Sequence, residues 1–436
     1  MKKINFTKLL GGLLLATIML LNQSCIKDTC KGTTTYVKYI PVYKSVDEIR
    51  QDINITGVRE LCNPGKLFVY GDYIFVNELQ TGIHVIDNKD PRNPQSITFI
   101  EIPGNVDIAV KDNILYADNY IDLVYFDITD PVSPIYKGRV EDVFNSISQN
   151  SVREHLLYYD TEEVTEEYEC DLGYRQGYYF QEDFISINSN ADRIFEGNFN
   201  SSLPNSTGAA PQGVGGSLSR FANFGEYLYV IDESALDIFD ITNRCDPIYA
   251  TEVEINRGIE TLFSISSNLF IGADDGVYIY SLENPTQPNY LSKFEHARAC
   301  DPVFVQDQTA YVTLRDGQSC EGFENQIDIL NVSDLFNPTL ITSVDLDNPH
   351  GLSLTEDILI VCEGEYGFKL FDKSNPSEIL NNQHAHIDNI YAYDVIIMPG
   401  TKTALVIGKD GLYQYDFTAP NDPLQLSGML VTRDCN

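Results

Sequence analysis

The stretch "DNILYADNYIDLVYFDITDPVSP" at residues 112–134 decides the fold. Apolar and polar residues alternate in "ILYADN" and again in "DLVYFD", and alternation with period two over short runs predicts β-strands. A short connection separates the two runs, and a polar turn with Pro131 and Pro134 follows the second run. The stretch therefore predicts two antiparallel strands and a turn.

The same pattern recurs along the chain at a spacing of roughly 40 residues, which is typical of propeller blades. The further copies begin at Asp72, Glu226, Ser267, Gln308, Glu356 and Lys402. An apolar run precedes each copy and another follows it, as in "VDIAV" at residues 106–110 and "SITFIEI" at residues 96–102. Four strands in each of seven copies predict an all-β fold, a seven-bladed β-propeller. Six or eight blades are the alternatives if a degenerate copy is misread.

Three of the copies resemble a known family. "IHVIDNKDPRNP" (residues 83–94), "VYFDITDPVSP" (residues 124–134) and "LDIFDITNRCDP" (residues 236–247) resemble the LVIVD repeat of bacterial, Bacteroidetes-type surface lipoproteins. The resemblance covers about residues 65–427 apart from one insertion. It implies a propeller on an exported lipoprotein, and it implies no defined activity.

The N-terminus predicts export. Three lysines precede the apolar run "LLGGLLLATIMLL" at residues 9–21, which is too short for a comfortable membrane span. "LNQSC" ending at Cys25 resembles a bacterial lipobox, which implies cleavage of residues 1–24 and a lipid on Cys25. We expect an outer-membrane lipoprotein with a tether over residues 25–45 and the propeller over residues 46–436. The side of the membrane stays undecided, and an ordinary signal peptide with a later cut is the alternative.

The charge limits the partners. The formal net charge is −35, so the body repels nucleic acid and anionic headgroups. No nucleic-acid partner is expected, and contact with the membrane is expected only through the lipid. Calcium or a basic protein fits this charge, although solubility in a salty exterior is the preferred explanation of the acidic excess.

The cysteines favour disulfides. Eight follow Cys25, none in a C-x-x-C pattern, and an even number in an exported chain favours disulfides over metal. In the propeller that the resemblance implies, Cys300 precedes the innermost strand of blade five and Cys320 lies in a loop on the same face. We therefore predict a Cys300–Cys320 disulfide.

The largest departure from the repeat is an insertion at residues 141–216, between blades two and three. It contains an aromatic cluster formed by Tyr174, Tyr178, Tyr179 and Phe180. Because long loops in compact folds are commonly functional, the insertion is the candidate binding element for a protein partner. The alternative is a decorated hairpin that packs its own tyrosines. Since the chain has no Trp, a glycan site would have to use these tyrosines.

Aligning the copies brings several polar residues to the start of the innermost strands, where they would surround the mouth of the central channel. These residues are Lys66, Asp107, Arg220, Glu260, Asp301, His350 and Asp394. Together they could hold a cation or a polar ligand, and ordinary ion pairing fits their mixed charges as well.

The ring also needs a closing element. The alternating run at residues 36–43 could supply the closing strand, and residues 424–431 compete for that role. We expect both to meet near the closure.

Motifs of catalysis are absent: the sequence has no G-x-S-x-G, H-E-x-x-H or Walker loop. Asp127 and Asp130 resemble a catalytic pair, but Ser and Asn replace them in other copies, so they predict turn chemistry. His384 and His386 share one face of a strand and are expected to be a solvated pair. We predict a non-enzymatic binding or scaffold protein with no catalytic residues and no cofactor. A glycan-binding or glycan-degrading lipoprotein and a cation-dependent scaffold are the alternatives.

Overall fold

The computed structural model describes residues 31–51, 53–144, 154–169, 213–232, 234–255, 258–295, 302–315 and 325–432. The chain divides into two compact units. One comprises residues 1–41 and 159–182, and the other comprises residues 42–158 and 183–436.

The described residues form a propeller of seven antiparallel blades, which confirms the predicted fold. The chain enters with β1 (Lys31–Lys44), the short helix α1 (Val46–Gln51) and β2 (Asn54–Thr56). The strands of blades one and two are β3 (Pro64–Tyr70), β4 (Tyr73–Glu78), β5 (Gly82–Asp87), β6 (Gln95–Glu101), β7 (Ile108–Lys111), β8 (Ile114–Asn119), β9 (Asp122–Asp127) and β10 (Ile135–Val140). The insertion supplies β11 (His155–Glu169) and β12 (Gly213–Gly215).

The remaining blades follow in chain order. The strands of blades three to five are β13 (Phe221–Phe224), β14 (Tyr227–Asp232), β15 (Ala235–Asp240), β16 (Ile248–Glu254), β17 (Ile259–Ile265), β18 (Asn268–Ala273), β19 (Gly276–Ser281), β20 (Asn289–Glu295), β21 (Val303–Gln306), β22 (Thr309–Leu314), β23 (Gln326–Asn331) and β24 (Thr339–Asp345). The strands of blades six and seven are β25 (Leu352–Leu354), β26 (Ile358–Cys362), β27 (Phe368–Asp372), β28 (Gln383–Ile387), β29 (Asp394–Ile397), β30 (Thr403–Gly408), β31 (Gly411–Asp416) and β32 (Leu424–Leu430), with a 3₁₀-helix at Pro376–Asn382 before β28.

Burial follows the position of a strand within its blade. The second and third strands are almost fully buried, as in β8, where every residue is buried. The outermost strands are largely exposed, as in β16, where no residue is buried. Packing of neighbouring blades through these middle strands therefore forms the core.

The turns between the third and fourth strands contain the same type of side-chain hydrogen bond in all seven blades. A side-chain oxygen at the end of the third strand accepts a hydrogen bond from the backbone N–H two residues later. The acceptors are Asp87, Asp127, Asp240, Ser281, Asn331, Asp372 and Asp416. The prediction that Asp127 and Asp130 serve a turn is confirmed, since Asp130 likewise accepts from the N–H of Val132 at 3.1 Å.

The predicted closing strands do not close the ring. Residues 36–43 belong to β1, which pairs with β11, and residues 424–430 belong to β32, the outermost strand of blade seven. Blades one and seven meet instead through side chains. The buried amides of Asn88 and Gln414 exchange hydrogen bonds of 3.1 and 2.7 Å.

Backbone and covalent contacts also lie near this closure. The N–H of Thr432, beyond blade seven, donates to the carbonyl of Leu61 at 2.9 Å. Cys62, the residue after Leu61, is disulfide-bonded. Cys245 and Cys362 carry free thiols, so the cysteines are not all paired.

The unit that contains the first part of β1 is a two-stranded ribbon in the described residues. Across the ribbon Tyr36 donates to Glu166 at 3.1 Å, and Lys38 lies 3.8 Å from Glu162. Nowhere in the described ranges is there a helix long and apolar enough to span a membrane.

Candidate functional site at the propeller axis

One equivalent position lies at or near the start of the innermost strand of each blade. It directly precedes the residue that pairs with Val76, Ala117, Val230, Ile271, Val312, Val361 or Val406 of the second strand. We call it the axis position. Its occupants, from blade one to blade seven, are Lys66, Asp107, Arg220, Thr261, Pro302, Gly351 and Asp394. Four of them are residues that the sequence assigned to the channel mouth.

In the other three blades the residues that the sequence assigned to the channel mouth, Glu260, Asp301 and His350, each directly precede the axis position in the chain. In blade four a register shift in the first strand lies between Ile259 and Thr261. Since side chains alternate along a strand, a difference of one residue changes which side chain is assigned to the axis.

The chain itself crosses the axis. β12, at the end of the insertion, pairs with the inner edge of β3, Gly215 facing Phe68. The chain then continues to blade three. We call residues 213–220 the axial segment. Ser217 and Ser219 within it are buried, with 1% and 2% of their surface exposed.

Four further blades bond the axial segment. In blade six the N–H of Leu352 donates to Ser217 Oγ at 2.8 Å, and the Ser217 hydroxyl donates to Asp394 Oδ1 of blade seven at 3.3 Å. In blade four the N–H of Leu262 donates to the carbonyl of Ser219 at 2.9 Å. The N–H of Arg220 donates to Asp107 Oδ2 of blade two at 2.6 Å. Together with β3, these contacts connect five blades to one short segment.

Lys66 and Asp107 form a buried ion pair beside the segment. Lys66 Nζ lies 2.8 Å from Asp107 Oδ2, and both side chains are almost fully buried. Burial lowers the pKa of Lys66, and the charge and hydrogen bond of Asp107 oppose that change. The N–H of Ile108 donates to the other oxygen of Asp107 at 2.7 Å. Asp107 therefore uses both carboxylate oxygens within the protein.

Asp118 holds the turn that presents Asp107. Its Oδ1 accepts hydrogen bonds from Asn105 Nδ2 at 2.7 Å and from the N–H groups of Val106 and Asp107 at 2.8 Å each. Burial raises the pKa of Asp118 to about 6, although the two backbone donors favour the ionised form. Burial therefore favours the protonated form of Asp118 more than in an exposed aspartate.

Asp394 enters the axis because its neighbour is glycine. A Cβ on Gly351 would lie 1.9 Å from Asp394 Oδ1, far inside van der Waals contact. Asp394 is fully buried, and burial raises its pKa well above the ordinary value, so its carboxyl favours the protonated form. Its Oδ2 has no hydrogen-bond partner within the described ranges.

Of the other predicted site residues, the structure describes His350 and Glu260. His350 packs its ring 5.8 Å from that of Tyr393, and burial, followed by the charge of Arg315, lowers its pKa well below the ordinary value. Glu260 is half-buried. The remaining predicted residues lie outside the described residues: Cys25, Tyr174, Tyr178, Tyr179, Phe180, Cys300, Asp301 and Cys320.

No metal site emerges from the part of the chain that the structure describes, where no three His, Cys, Asp or Glu residues form a group that could hold an ion. His384 and His386 lie on β28, an outermost strand. Each has its own partner, since His384 Nδ1 lies 2.8 Å from Asn421 Oδ1 and His386 Nε2 lies 2.7 Å from the carbonyl of Tyr366.

Sequence reasoning missed Ser217, Ser219 and Gly351. The first two belong to "GGSLS", a run that reads as a polar loop. Its partner strand β3 lies more than a hundred residues earlier in the chain, and no local pattern reports such a pairing. Gly351 has no side chain that a sequence pattern could mark as functional. Its importance becomes clear only from its position next to Asp394.

Comparison with known proteins supports the same fold. Residues 104–142 and 215–254 match the LVIVD repeat, in blades two and three. No curated protein matches the chain significantly.

Solved structures with a similar course of the chain are propellers of low sequence identity. The periplasmic gluconolactonase of Pseudomonas aeruginosa is 11% identical, with 84% of this chain and 96% of that chain covered and a TM-score of 0.53. A putative 6-phosphogluconolactonase from Bacteroides uniformis is also 11% identical, with 85% and 97% covered and a TM-score of 0.51. At such identity the likeness shows the fold alone. The chain is therefore a β-propeller protein that contains LVIVD repeats.

Proposed function

We propose that this protein is a non-enzymatic binding scaffold that holds a protein partner through the insertion at residues 141–216. The observation that carries the proposal is the axial segment. Catalytic groups must reach a substrate, and the polar groups of the axis are instead buried and bonded by the chain itself. Since the chain itself fills the axis, we assign recognition of the partner to the insertion.

Both ends of the insertion are held by the propeller. At its start, Arg50 of α1 lies 3.1 Å from Glu141 and 3.0 Å from Asp142. Arg50 also pairs with the buried Asp122 at 2.9 Å, and Arg139 pairs with the same carboxylate at 2.9 Å. At its end, the insertion becomes the axial segment. A binding loop fixed at both ends loses less conformational entropy when it binds a partner.

Crosslinking in intact cells of the native host tests the binding role. We expect a protein crosslinked to the wild type to be lost when Tyr174, Tyr178, Tyr179 and Phe180 are all replaced by Ser. The matched control is Tyr290→Ser, which removes an exposed tyrosine of β20, on blade four. Retention of the crosslinked partner by the quadruple variant would count against the insertion as the binding element.

The alternatives are tested on the same folded protein. Hydrolysis of gluconolactone, the substrate class in the names of the similar structures, would overturn the non-enzymatic proposal. A signal on a glycan array would favour a glycan-binding lipoprotein. A rise in melting temperature with calcium beyond the ionic-strength effect would favour a cation-dependent scaffold.

We further propose that the protein is exported and anchored in the outer membrane by a lipid on Cys25, as the lipobox-like "LNQSC" suggests. The disulfide at Cys62 supports export, since disulfides persist mainly in oxidising compartments. Metabolic labelling with an alkyne fatty acid should label the wild type and leave Cys25→Ala unlabelled. Equal labelling of both would refute the anchor, and protease treatment of intact cells would decide which side of the membrane the protein faces.

A further inference from the structure

Blades one and seven, the first and last of the chain, meet where the ring closes. Their innermost strands, β3 and β29, contact each other. The Ser427 hydroxyl of β32 donates to the carbonyl of Pro91 in blade one at 2.7 Å, in addition to the amide exchange described above. Because a single hydrogen bond contributes little net free energy, a covalent link at this closure would strengthen it considerably.

The chain beyond blade seven is bonded directly next to Cys62. The N–H of Thr432 donates to the carbonyl of Leu61 at 2.9 Å, and the Thr432 hydroxyl donates to Glu60 Oε2 at 2.5 Å. Two bonds therefore fix Thr432 against the two residues that precede Cys62. Cys62 itself is disulfide-bonded.

A further cysteine follows Thr432 at short distance in the chain. Cys435 is three residues beyond Thr432 and lies outside the described residues. Three residues of extended chain span at most about 10 Å, and the Cα atoms of a disulfide lie about 4.4–6.8 Å apart. Since Thr432 is bonded to the neighbour of Cys62, Cys435 is within reach of Cys62.

Two of the other cysteines have a nearer partner in each other. β1 pairs with β11, and two cross-strand contacts define the register: Thr35–Thr165 at 2.9 Å and Lys38–Glu162 at 3.8 Å. A step of three residues forward in β1 matches a step of three backward in β11, so the strands are antiparallel. This register brings the first residue of β1 opposite the last residue of β11. The next residues beyond these ends, outside the described ranges, are Cys30 and Cys170.

The remaining cysteines are separated from Cys62. Cys300 precedes β21 and Cys320 lies between β22 and β23, so both belong to blade five. The innermost strands contact one another in chain order around the ring, which puts at least two blades between blade five and blade one. Cys245 and Cys362 carry free thiols.

We propose that Cys62 and Cys435 form a disulfide that closes the propeller ring covalently, between the start of blade one and the chain beyond blade seven. When the bond forms, the two thiols lose two protons and two electrons to the disulfide of a thiol–disulfide oxidoreductase, which becomes a dithiol. All seven blades then lie within one covalent loop. The bond does not depend on the binding function proposed above.

A peptide map of the wild type tests the pairing. The protein is isolated from an oxidising compartment, its free thiols are alkylated in denaturant, and it is digested with trypsin without reductant. We expect the peptide ELCNPGK, residues 60–66, to be linked to the peptide that begins at Asp434, and the link to disappear on reduction. Alkylated Cys435, or Cys62 linked to any other cysteine, would overturn the proposal.

Thermal unfolding tests whether the bond closes the ring. Because the loop includes nearly the whole propeller, Cys62→Ser and Cys435→Ser should each lower the melting temperature by about 5–10 °C. The double variant should lose no more than either single variant, since all three lack the same bond. The matched control is Cys245→Ser, which removes an exposed free thiol and should leave the melting temperature unchanged.

An unchanged melting temperature in Cys435→Ser, or additive losses in the double variant, would show that the two cysteines do not act as one bond. Should the variants fail to fold, the peptide map still decides the pairing, because it uses the wild type alone. The same map tests the ribbon register, which predicts a link between Cys30 and Cys170.

Discussion

The turns between the third and fourth strands and the residues at the axis positions both recur once per blade, yet only the turns repeat their chemistry. Every turn places Asp, Asn or Ser at the same point, and each side chain bonds the N–H two residues later. The axis positions hold a Lys, an Arg, two Asp, a Thr, a Pro and a Gly. Each turn satisfies only its own backbone, whereas Lys66, Asp107 and Asp394 of the axis contact one another or the axial segment.

This comparison predicts that equivalent changes have large effects at the axis and small effects at the turns. The ion pairs Lys66–Asp107 and Lys137–Asp127 provide the first test, with distances of 2.8 and 3.1 Å. Lys66→Met leaves a carboxylate buried without its cation and should lower the free energy of unfolding by about 3–5 kcal/mol. Lys137→Met, at a partly exposed turn, should change it by less than about 1 kcal/mol. Urea unfolding measures both, and equal effects would contradict the comparison.

Gly351→Ala should be the next largest change, because the new Cβ would overlap Asp394 Oδ1. We expect a loss of about 2–4 kcal/mol in thermal or urea unfolding. The matched control is Gly57→Ala, since a Cβ there meets nothing within 4 Å. Adding Asp394→Ala to Gly351→Ala should recover part of the loss, and a purely additive double variant would show that the overlap is not the cause.

Asp118 should give the axis a pH dependence of the opposite sign to that of the turns. Its pKa is raised from 3.8 to about 6 in the folded protein, so its stabilising contribution is present below about pH 4 and is lost as the pH rises through 6. Relative to Asp118→Asn, the wild type should lose about 1–3 kcal/mol between pH 4 and pH 7. Urea unfolding across this range measures the difference.

Asp127→Asn is the control of opposite sign for this pH dependence. The hydrogen bonds from the side chain and backbone of Thr129 lower the pKa of Asp127. Its contribution is therefore present above its ordinary pKa and is lost as the pH falls. The same sign of pH dependence at Asp118 and Asp127 would refute the difference between the two regions.

The smallest expected effect belongs to the turn itself. Asp130→Ala removes the hydrogen bond from Val132 N–H and should cost about 0.5–1 kcal/mol. Asp130→Asn keeps an acceptor at the same point and should leave the melting temperature nearly unchanged. A large loss in Asp130→Asn would mean that the negative charge matters at this position and that the turn does more than order its backbone.

The sequence by itself determined the features that depend on neighbouring residues. Alternation in "ILYADN" and "DLVYFD" predicts the strands, and the recurrence of "DITDPVSP" predicts the turns and the number of blades, all of which the structure confirms. These features follow from local sterics and local hydrogen bonds, so they can be recognised within about a dozen residues of chain.

Only the tertiary structure decided what fills the axis and how the ring closes. One register shift in blade four is enough to place Thr261 instead of Glu260 at the axis position. The local sequence pattern gives no signal of such a shift. The pairing of Gly215 with Phe68 and the amide exchange between Asn88 and Gln414 join residues far apart in sequence. Such contacts depend on where whole blades lie, because the residues that they join are more than a hundred positions apart in the chain.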